Sequence, residues 1–539
     1  MSRIILSSVL MSGLLLGCSA APNPSTPSIN PSSSGTVDSR SGQSAEKDSD
    51  AGVAKISTGD PLEADPASAS TDSSAVGPAT SKPAAERVGN DWPIFLGPHG
   101  TGVSDETGLL DIWPETGPPV LWDKRIGKGY SSPSIRGDRL VVHHRQRNNE
   151  VIECVRADDG SPIWKHEYDT DYIDRYGYNN GPRCSPLLTR NRCYTYGVQG
   201  RLVCLDLKSG GVVWERDTAK EWNVPDHFFG AGCTPILEGG LLIVLVGGQP
   251  NSGVVALDPE TGRTKWESVG KETWDGAATD RPDYAYRWTG REMLVSYSSP
   301  IAATIHGQRH LLCLVRQGLV SLDPKDGRVR FRYWFRSRIN DSVNAARPVV
   351  AGDLVFLSAA YDTGAVLLKV HADGEGFDEV WRNKEGMSTH WSTPIYRDGC
   401  AFGFSGRHEE EATLQCIDLQ SGDLVWQTNG YKGKIELDPF TGEMKDSETG
   451  AVIPKSFLYG RGSKTYADGK YFVLGERGTL ALAKLSRAGW KEISRTSFEK
   501  LKYPMWASPV LSRGRLYLRS EDWLLCLDVA QPGDTNPKR

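Results

Sequence analysis

One short signal recurs along most of the chain and limits what it can fold into. A pair of residues, the first always small, stands before an anchor position at Ser131-Ser132-Pro133, Cys184-Ser185-Pro186, Cys233-Thr234-Pro235, Ser298-Ser299-Pro300, Ala346-Arg347-Pro348, Ser392-Thr393-Pro394, Gly462-Ser463-Lys464 and Ala507-Ser508-Pro509. From Pro133 to Pro509 is 376 residues, or seven intervals of about 54. A period of this size marks a repeat architecture in which each unit is one supersecondary element. After each anchor come short alternating apolar runs, such as Leu202-Val-Cys-Leu-Asp206, separated by glycine turns, so each unit reads as four short strands.

Each unit ends on a turn and an aromatic residue. The turn Asp206-Leu-Lys-Ser-Gly210 is followed by Trp214, and the same offset gives Gly160/Trp164, Gly262/Trp266, Gly327/Phe331 and Gly422/Trp426. The fifth unit slips by one, at Gly376/Trp381, and the seventh has Gly489/Ile493. The last unit stops at Leu524-Leu-Cys-Leu-Asp528 with no aromatic strand after it, while an orphan strand, Pro119-Val-Leu-Trp122-Asp, precedes the first anchor. A ring needs this completion and an open solenoid does not. The fold expected is therefore all-β, an eight-bladed propeller whose last blade takes its outer strand from the N-terminal side. Trp122, Trp164, Trp214, Trp266, Phe331, Trp381 and Trp426 are assigned to structural docking between blades.

The turn-plus-tryptophan units resemble the tryptophan-docking repeat of the quinoprotein (PQQ-like) eight-bladed propellers, over about residues 91–530. Within that superfamily the chain is most similar to the BamB-like outer-membrane assembly lipoproteins. The resemblance implies a non-catalytic binding scaffold that meets envelope proteins through one propeller face. It also carries an alternative, a dehydrogenase of alcohols or sugars using PQQ with Ca²⁺. Carbohydrate binding at an aromatic mouth is a second alternative.

Outside the repeats the chain is a different material. Residues 1–90 hold no Phe, Trp or Tyr. Arg3 and the apolar run from Ile4 to Leu16 form a secretory signal that ends in Leu15-Leu-Gly-Cys18, which resembles a lipobox with Cys18 as the lipidated residue. Residues 19–89 are rich in Ser, Ala, Pro and Asp and are expected to be a disordered tether, of r.m.s. span roughly 45 Å. The expected organisation is thus a signal at 1–18, a tether at 19–89, the propeller at 90–530 and a tail at 531–539, in a protein exported and lipid-anchored to the outer membrane facing the periplasm. Lys+Arg 62 against Asp+Glu 67 excludes the strongly basic surface of a nucleic-acid binder.

The position three before each anchor breaks the repeat. It holds Tyr130, Arg183, Gly232, Tyr297, Ala345, Trp391, Arg461 and Trp506. Equivalent places in a propeller converge on one mouth of the central channel. Aromatic and Arg residues together suit a binding hot spot, so Tyr130, Arg183, Tyr297, Trp391, Arg461 and Trp506 form a candidate binding mouth. The alternative is a plug of bulky side chains. Connections on that same face vary in length: 11 residues from Trp122 to Pro133, but 34 from Trp266 to Pro300 and 38 from Trp426 to Lys464. Together with the 22 residues from Trp164 to Pro186, the long ones carry Tyr168, Tyr172, Tyr176 and Tyr178, then Trp274, Tyr284, Tyr286 and Trp288, then Tyr431, Phe440, Phe457 and Tyr459. Long ordered loops are usually functional.

Catalytic patterns are weak. The ten Cys include no adjacent pair, which the superfamily's quinone enzymes use as a disulfide. Cys184 and Cys233 occupy equivalent positions in neighbouring units, where an oxidising compartment permits a bridge. His306 and His310 flank a turn and read as surface hairpin polarity, and the acidic 438–448 stretch reads as a solvated hairpin without the EF-hand spacing. No catalytic residue, metal ligand or resident cofactor is assigned.

Overall fold

The computed structural model describes residues 87–225 and 229–532. The expected signal, Cys18 and the tether up to residue 86 lie outside the described residues, as does the chain after 532. Eight four-stranded antiparallel sheets follow one another. In the first blade Ser134–Arg136, Arg139–Gln146, Asn149–Arg156 and Pro162–Asp169 pair in chain order, from the axis outward. Blades two to seven span 187–217, 236–268, 301–334, 349–383, 395–428 and 463–497 in the same order. The eighth combines Val510–Ser512, Arg515–Arg519 and Trp523–Asp528 with Val120–Arg125, which pairs antiparallel to the last of them, Val120 opposite Leu527. The N-terminal strand thus closes the ring.

The expected docking residues hold the blades together by one repeated contact. The indole Nε1 of Trp122, Trp164, Trp214, Trp266, Trp381 and Trp426 donates to the carbonyl of Ala157, Leu207, Pro259, Pro324, Leu419 and Ser486, at 2.7–3.2 Å. Each acceptor lies in the next blade, three residues before its turn glycine. In five of these interfaces the glycine sits under the ring. A Cβ on Gly160, Gly210, Gly262, Gly327 or Gly422 would stand 2.5–2.9 Å from the indole, and each of these glycines has a φ of +68° to +78°. Only glycine meets both demands.

The departures keep the same logic. Phe331 has no N–H to donate; it packs on Phe377 of blade five with centroids 5.3 Å apart, where the turn has slipped. Trp426 keeps its hydrogen bond but is half-buried, and Gly489 has nothing beneath it. Between blades seven and eight the interface is built from Ile493 and from Trp113, whose backbone N–H, not its indole, donates to Ser494 Oγ.

Around the axis the residue before the anchor has a role beyond being small. Ser132 N donates to Ser185 Oγ, Ser185 N to Thr234 Oγ1, Thr234 N to Ser299 Oγ and Arg347 N to Thr393 Oγ1, at 2.9–3.1 Å. Innermost strands have no strand partner on the axis side, so a neighbouring hydroxyl satisfies the N–H that would otherwise be buried alone. The thiols of Cys184 and Cys233 are free, and each donates to a neighbouring blade's carbonyl. His310 is fully buried on Ser321 rather than lying at the surface, because its strand position faces the packed side of the sheet.

The docking contact has a measurable weight. Trp214→Ala is expected to lower the unfolding free energy by about 3–5 kcal/mol. Trp426→Ala, at a half-open site, is expected to cost less, and denaturant midpoints of both variants check the order.

Candidate functional site

Inner strands run from the mouth to the far face, and the far end of the channel is closed by the protein's own N-terminal segment. Trp92 is buried and bridges to Ile135, Pro93 O accepts from Leu188 N, and Tyr466 N donates to Gly102 O. Contacts with the propeller already begin at Arg87, which pairs with Asp528 at 2.7 Å. Two cations are buried where the anchor pattern breaks. Arg347 donates to the carbonyls of Gly100 and Pro300. Lys464 stands where other units have proline, donates to Thr393 O at 3.3 Å, and is held by burial down to about 7. Access to the axis is therefore from the mouth.

At the mouth the structure joins five of the six expected residues into one partly buried cluster. Tyr130 packs on Trp506 at 4.8 Å, and Arg183 lies over Tyr130 while pairing with Asp174 at 2.6 Å. Trp506 Nε1 donates to Glu476 Oε1 at 2.6 Å. Arg461 lies over the Trp506 ring and pairs with the same carboxylate, whose side chain is fully buried. Tyr297 joins through Phe229, which also meets Tyr178, and Tyr178 packs on Trp506 at 5.7 Å. Trp391 stands apart from these ring contacts, with its Nε1 buried and without a hydrogen-bond partner among the described residues. Its neighbour His390 is held down to about 3, first by burial and then by Arg461 and Arg407. The neutral ring faces Arg461 Nη1 at Nδ1 and the Tyr361 hydroxyl at Nε2.

Sequence reasoning missed Glu476 and His390, because a single Glu in a hairpin turn carries no pattern. It also left Arg347 and Lys464 unassigned, although both are visible as the two breaks in the anchor motif. The long connection 170–181 reaches over the mouth because Arg145 donates to the carbonyls of Thr170, Tyr172 and Asn180. On the rim beside it, a cleft of about 910 Å³ is lined by Arg125, Lys128, Arg145, Arg147 and Lys165 with Glu167 and Asp522. The connection between blades six and seven forms a finger. Its strands Ile435–Leu437 and Met444–Asp446 pair antiparallel.

A family described as outer membrane protein assembly factor BamB matches residues 147–428, just over half of the chain. The chain belongs to this family. A curated relative, the outer membrane protein assembly factor BamB of Moranella endobia (strain PCIT), is 21% identical over 171 residues, covering 30% of this chain and 40% of the relative. The match thus spans less than half of that relative's length. Among solved structures, BamB from Moraxella catarrhalis is 14% identical with a TM-score of 0.47, covering 76% of this chain and 97% of that one. The quinohemoprotein alcohol dehydrogenase from Comamonas testosteroni is 12% identical with a TM-score of 0.53, covering 82% of this chain and 80% of that one. The likeness to the dehydrogenase bears on the fold alone.

The residues at the mouth do not fit the quinone and Ca²⁺ that the dehydrogenase alternative requires. The ring of Trp506 is covered by Tyr130 and Tyr178 and so offers no open slot. Both oxygens of Glu476 are taken, by Arg461 and Trp506. The nine described cysteines are free and buried, and among the described residues no three His, Cys, Asp or Glu are grouped to hold a metal.

Two expectations follow from the buried charges. Glu476→Ala leaves the Arg461 charge uncompensated and is expected to destabilise the protein by about 3–5 kcal/mol. Arg461→Met/Glu476→Gln together should lose less, as a double-mutant cycle in denaturant would read. Lys464 falls from 10.5 in the unfolded chain to about 7 when folded, so between those pH values the unfolded state binds more protons and stability rises with pH. Lys464→Met should flatten that rise and be the more stable form at pH 6, in unfolding curves recorded at about pH 6 and about pH 9.

Proposed function

We propose that this protein is an exported, lipid-anchored propeller scaffold that takes part in outer-membrane protein assembly by binding envelope proteins through its mouth face. The observation that carries this reading is the concentration of long, aromatic-bearing connections on one face of a ring whose axis is sealed from the other. A propeller with its own chain across one end of the channel and packed rings at the other works by surface recognition, and aromatic and Arg residues at a partly buried centre are the groups that dominate such interfaces. The basic rim cleft supports an acidic surface on the partner, because complementary charge steers encounter and sets orientation. Family membership favours assembly over catalysis, and Cys18 as the lipidated residue supports attachment to the membrane.

The test is capture by crosslinking in the envelope. Replacing residues 434–454 by a short Gly linker, and separately substituting Trp391 and Arg461, should each reduce capture of outer-membrane assembly proteins by about tenfold or more. Unchanged capture by all variants would sink the reading. In a parallel titration with PQQ and Ca²⁺ we expect no saturable binding in the micromolar range; saturable binding would move the chain to the dehydrogenase reading instead.

A further inference from the structure

The finger carries, twice over, the turn that elsewhere in this chain receives a tryptophan. Its first turn reads Asp438-Pro-Phe-Thr-Gly442, and the blade-three turn that docks Trp214 reads Asp258-Pro-Glu-Thr-Gly262. The two differ only at the third residue. Their hydrogen bonds also agree. Asp258 Oδ1 accepts from Glu260 N and Thr261 N at 3.1 and 3.0 Å, and Asp438 Oδ1 accepts from Phe440 N and Thr441 N at 2.9 and 3.0 Å. Gly262 N donates to Asp258 O at 2.8 Å and Gly442 N to Asp438 O at 2.9 Å, with φ of +68° and +69°. The strand register matches, Leu257 opposite Thr264 and Leu437 opposite Met444. A second copy follows at Asp446-Ser-Glu-Thr-Gly450, with φ of +70° at its glycine.

What differs is the occupant. In five blade turns an indole lies on the glycine and bonds the carbonyl three residues before it. At Gly442 and Gly450 a Cβ would meet nothing within 4 Å. No hydrogen bond among the described residues ends on the corresponding carbonyls, Pro439 O and Ser447 O. The first of these turns is flanked by apolar side chains in solvent, Leu437 at 55% exposure and Phe440 at 97%. The finger also has a base of its own, in which Met444, Ile453 and Leu458 pack with Tyr431 and Ile435, and Tyr431 donates to Asp446 at 2.9 Å.

We propose that the finger is a docking element whose turn 438–442 takes an indole from a partner protein, reproducing outward the contact that joins the blades. The ring lies on Gly442, its N–H donates to Pro439 O, and Leu437 and Phe440 cover its edges. The partner is an extended protein segment carrying an accessible tryptophan. A second copy of this chain does not supply one, because all sixteen tryptophans lie among the described residues and none is exposed. The inference rests on the scaffold reading and names the chemistry its partner must carry.

The chain itself provides a probe. The peptide 211–217, Gly-Val-Val-Trp-Glu-Arg-Asp, is the segment that fills the blade-three turn. It is titrated into the full chain labelled at glycine, and the glycine resonances are followed by NMR. The expected result is a saturable ring-current shift at Gly442. It should be absent with the Trp→Ala peptide, absent at the open hairpin glycines Gly352 and Gly399, and about tenfold weaker in Phe440→Ser, which keeps Gly442 as the reporter. Gly450 reports in the same spectra that the variant finger remains folded, and the substitution tests the flanking contact without touching the turn backbone. No shift at Gly442, equal shifts at Gly352 and Gly399, or equal response to the Trp→Ala peptide would each overturn the docking turn. Those outcomes would leave the envelope-capture result on the mouth face standing, and a failed capture would leave a positive titration standing.

Discussion

An indole resting on a glycine is the contact on which the ring depends. A four-stranded blade buries one face against each neighbour and cannot cover either alone, so the fold exists only when all the interfaces are made. The tryptophan contributes a large apolar area together with one directed hydrogen bond. The glycine contributes the absence of a side chain at a backbone conformation that other residues adopt with strain. Because the donor sits in one blade and the acceptor turn in the next, each of the five interfaces built this way reads the identity of both. Where the turn slips, at blade five, the chain replaces the donor by Phe331, which asks only for packing against Phe377.

The axis is solved by different chemistry. Eight inner strands converge where there is space for neither large side chains nor further strands, and their N–H groups face one another across blade boundaries. Serine and threonine hydroxyls take up those donors, which explains why the pairs before the anchors are small and also hydroxylated. Two units abandon the pattern, and their long cations, Arg347 and Lys464, reach carbonyls near the axis instead. With the segment from Trp92 to Ser104 laid across the far end, that end of the channel becomes part of the core, and the mouth is the end left facing outward.

The mouth joins the two alternatives that the residues themselves left open, a hot spot or a plug. Its rings pack on one another, and Glu476 anchors both Arg461 and Trp506 from below, so the cluster fills the opening. It remains partly exposed, and the loop 170–181 and the finger rise beside it. A rigid aromatic floor with extended neighbours suits a protein surface better than a flat cofactor, which needs a slot with its two walls free.

The sequence by itself determined the number of blades, their strand order and the closing strand, and it set an aromatic residue in the outer strand of seven of the blades. Each is a local pattern repeated at a fixed spacing, and repetition makes a weak signal legible. It also located the face on which the exceptions gather, since loop length and repeat-breaking residues can be counted. Only the tertiary structure decided how the exceptions meet. Glu476 lies in a turn with no pattern around it, and its partners Arg461 and Trp506 come from different blades. Trp391 shares the repeat position of its neighbours and still stands apart from their rings. Likewise, the finger's turns are written in the same letters as the blade turns, yet whether a ring covers the glycine depends on the presence of a neighbouring blade. A contact between segments distant in the chain is set by where the closed ring places them, and that is settled only when every blade is docked.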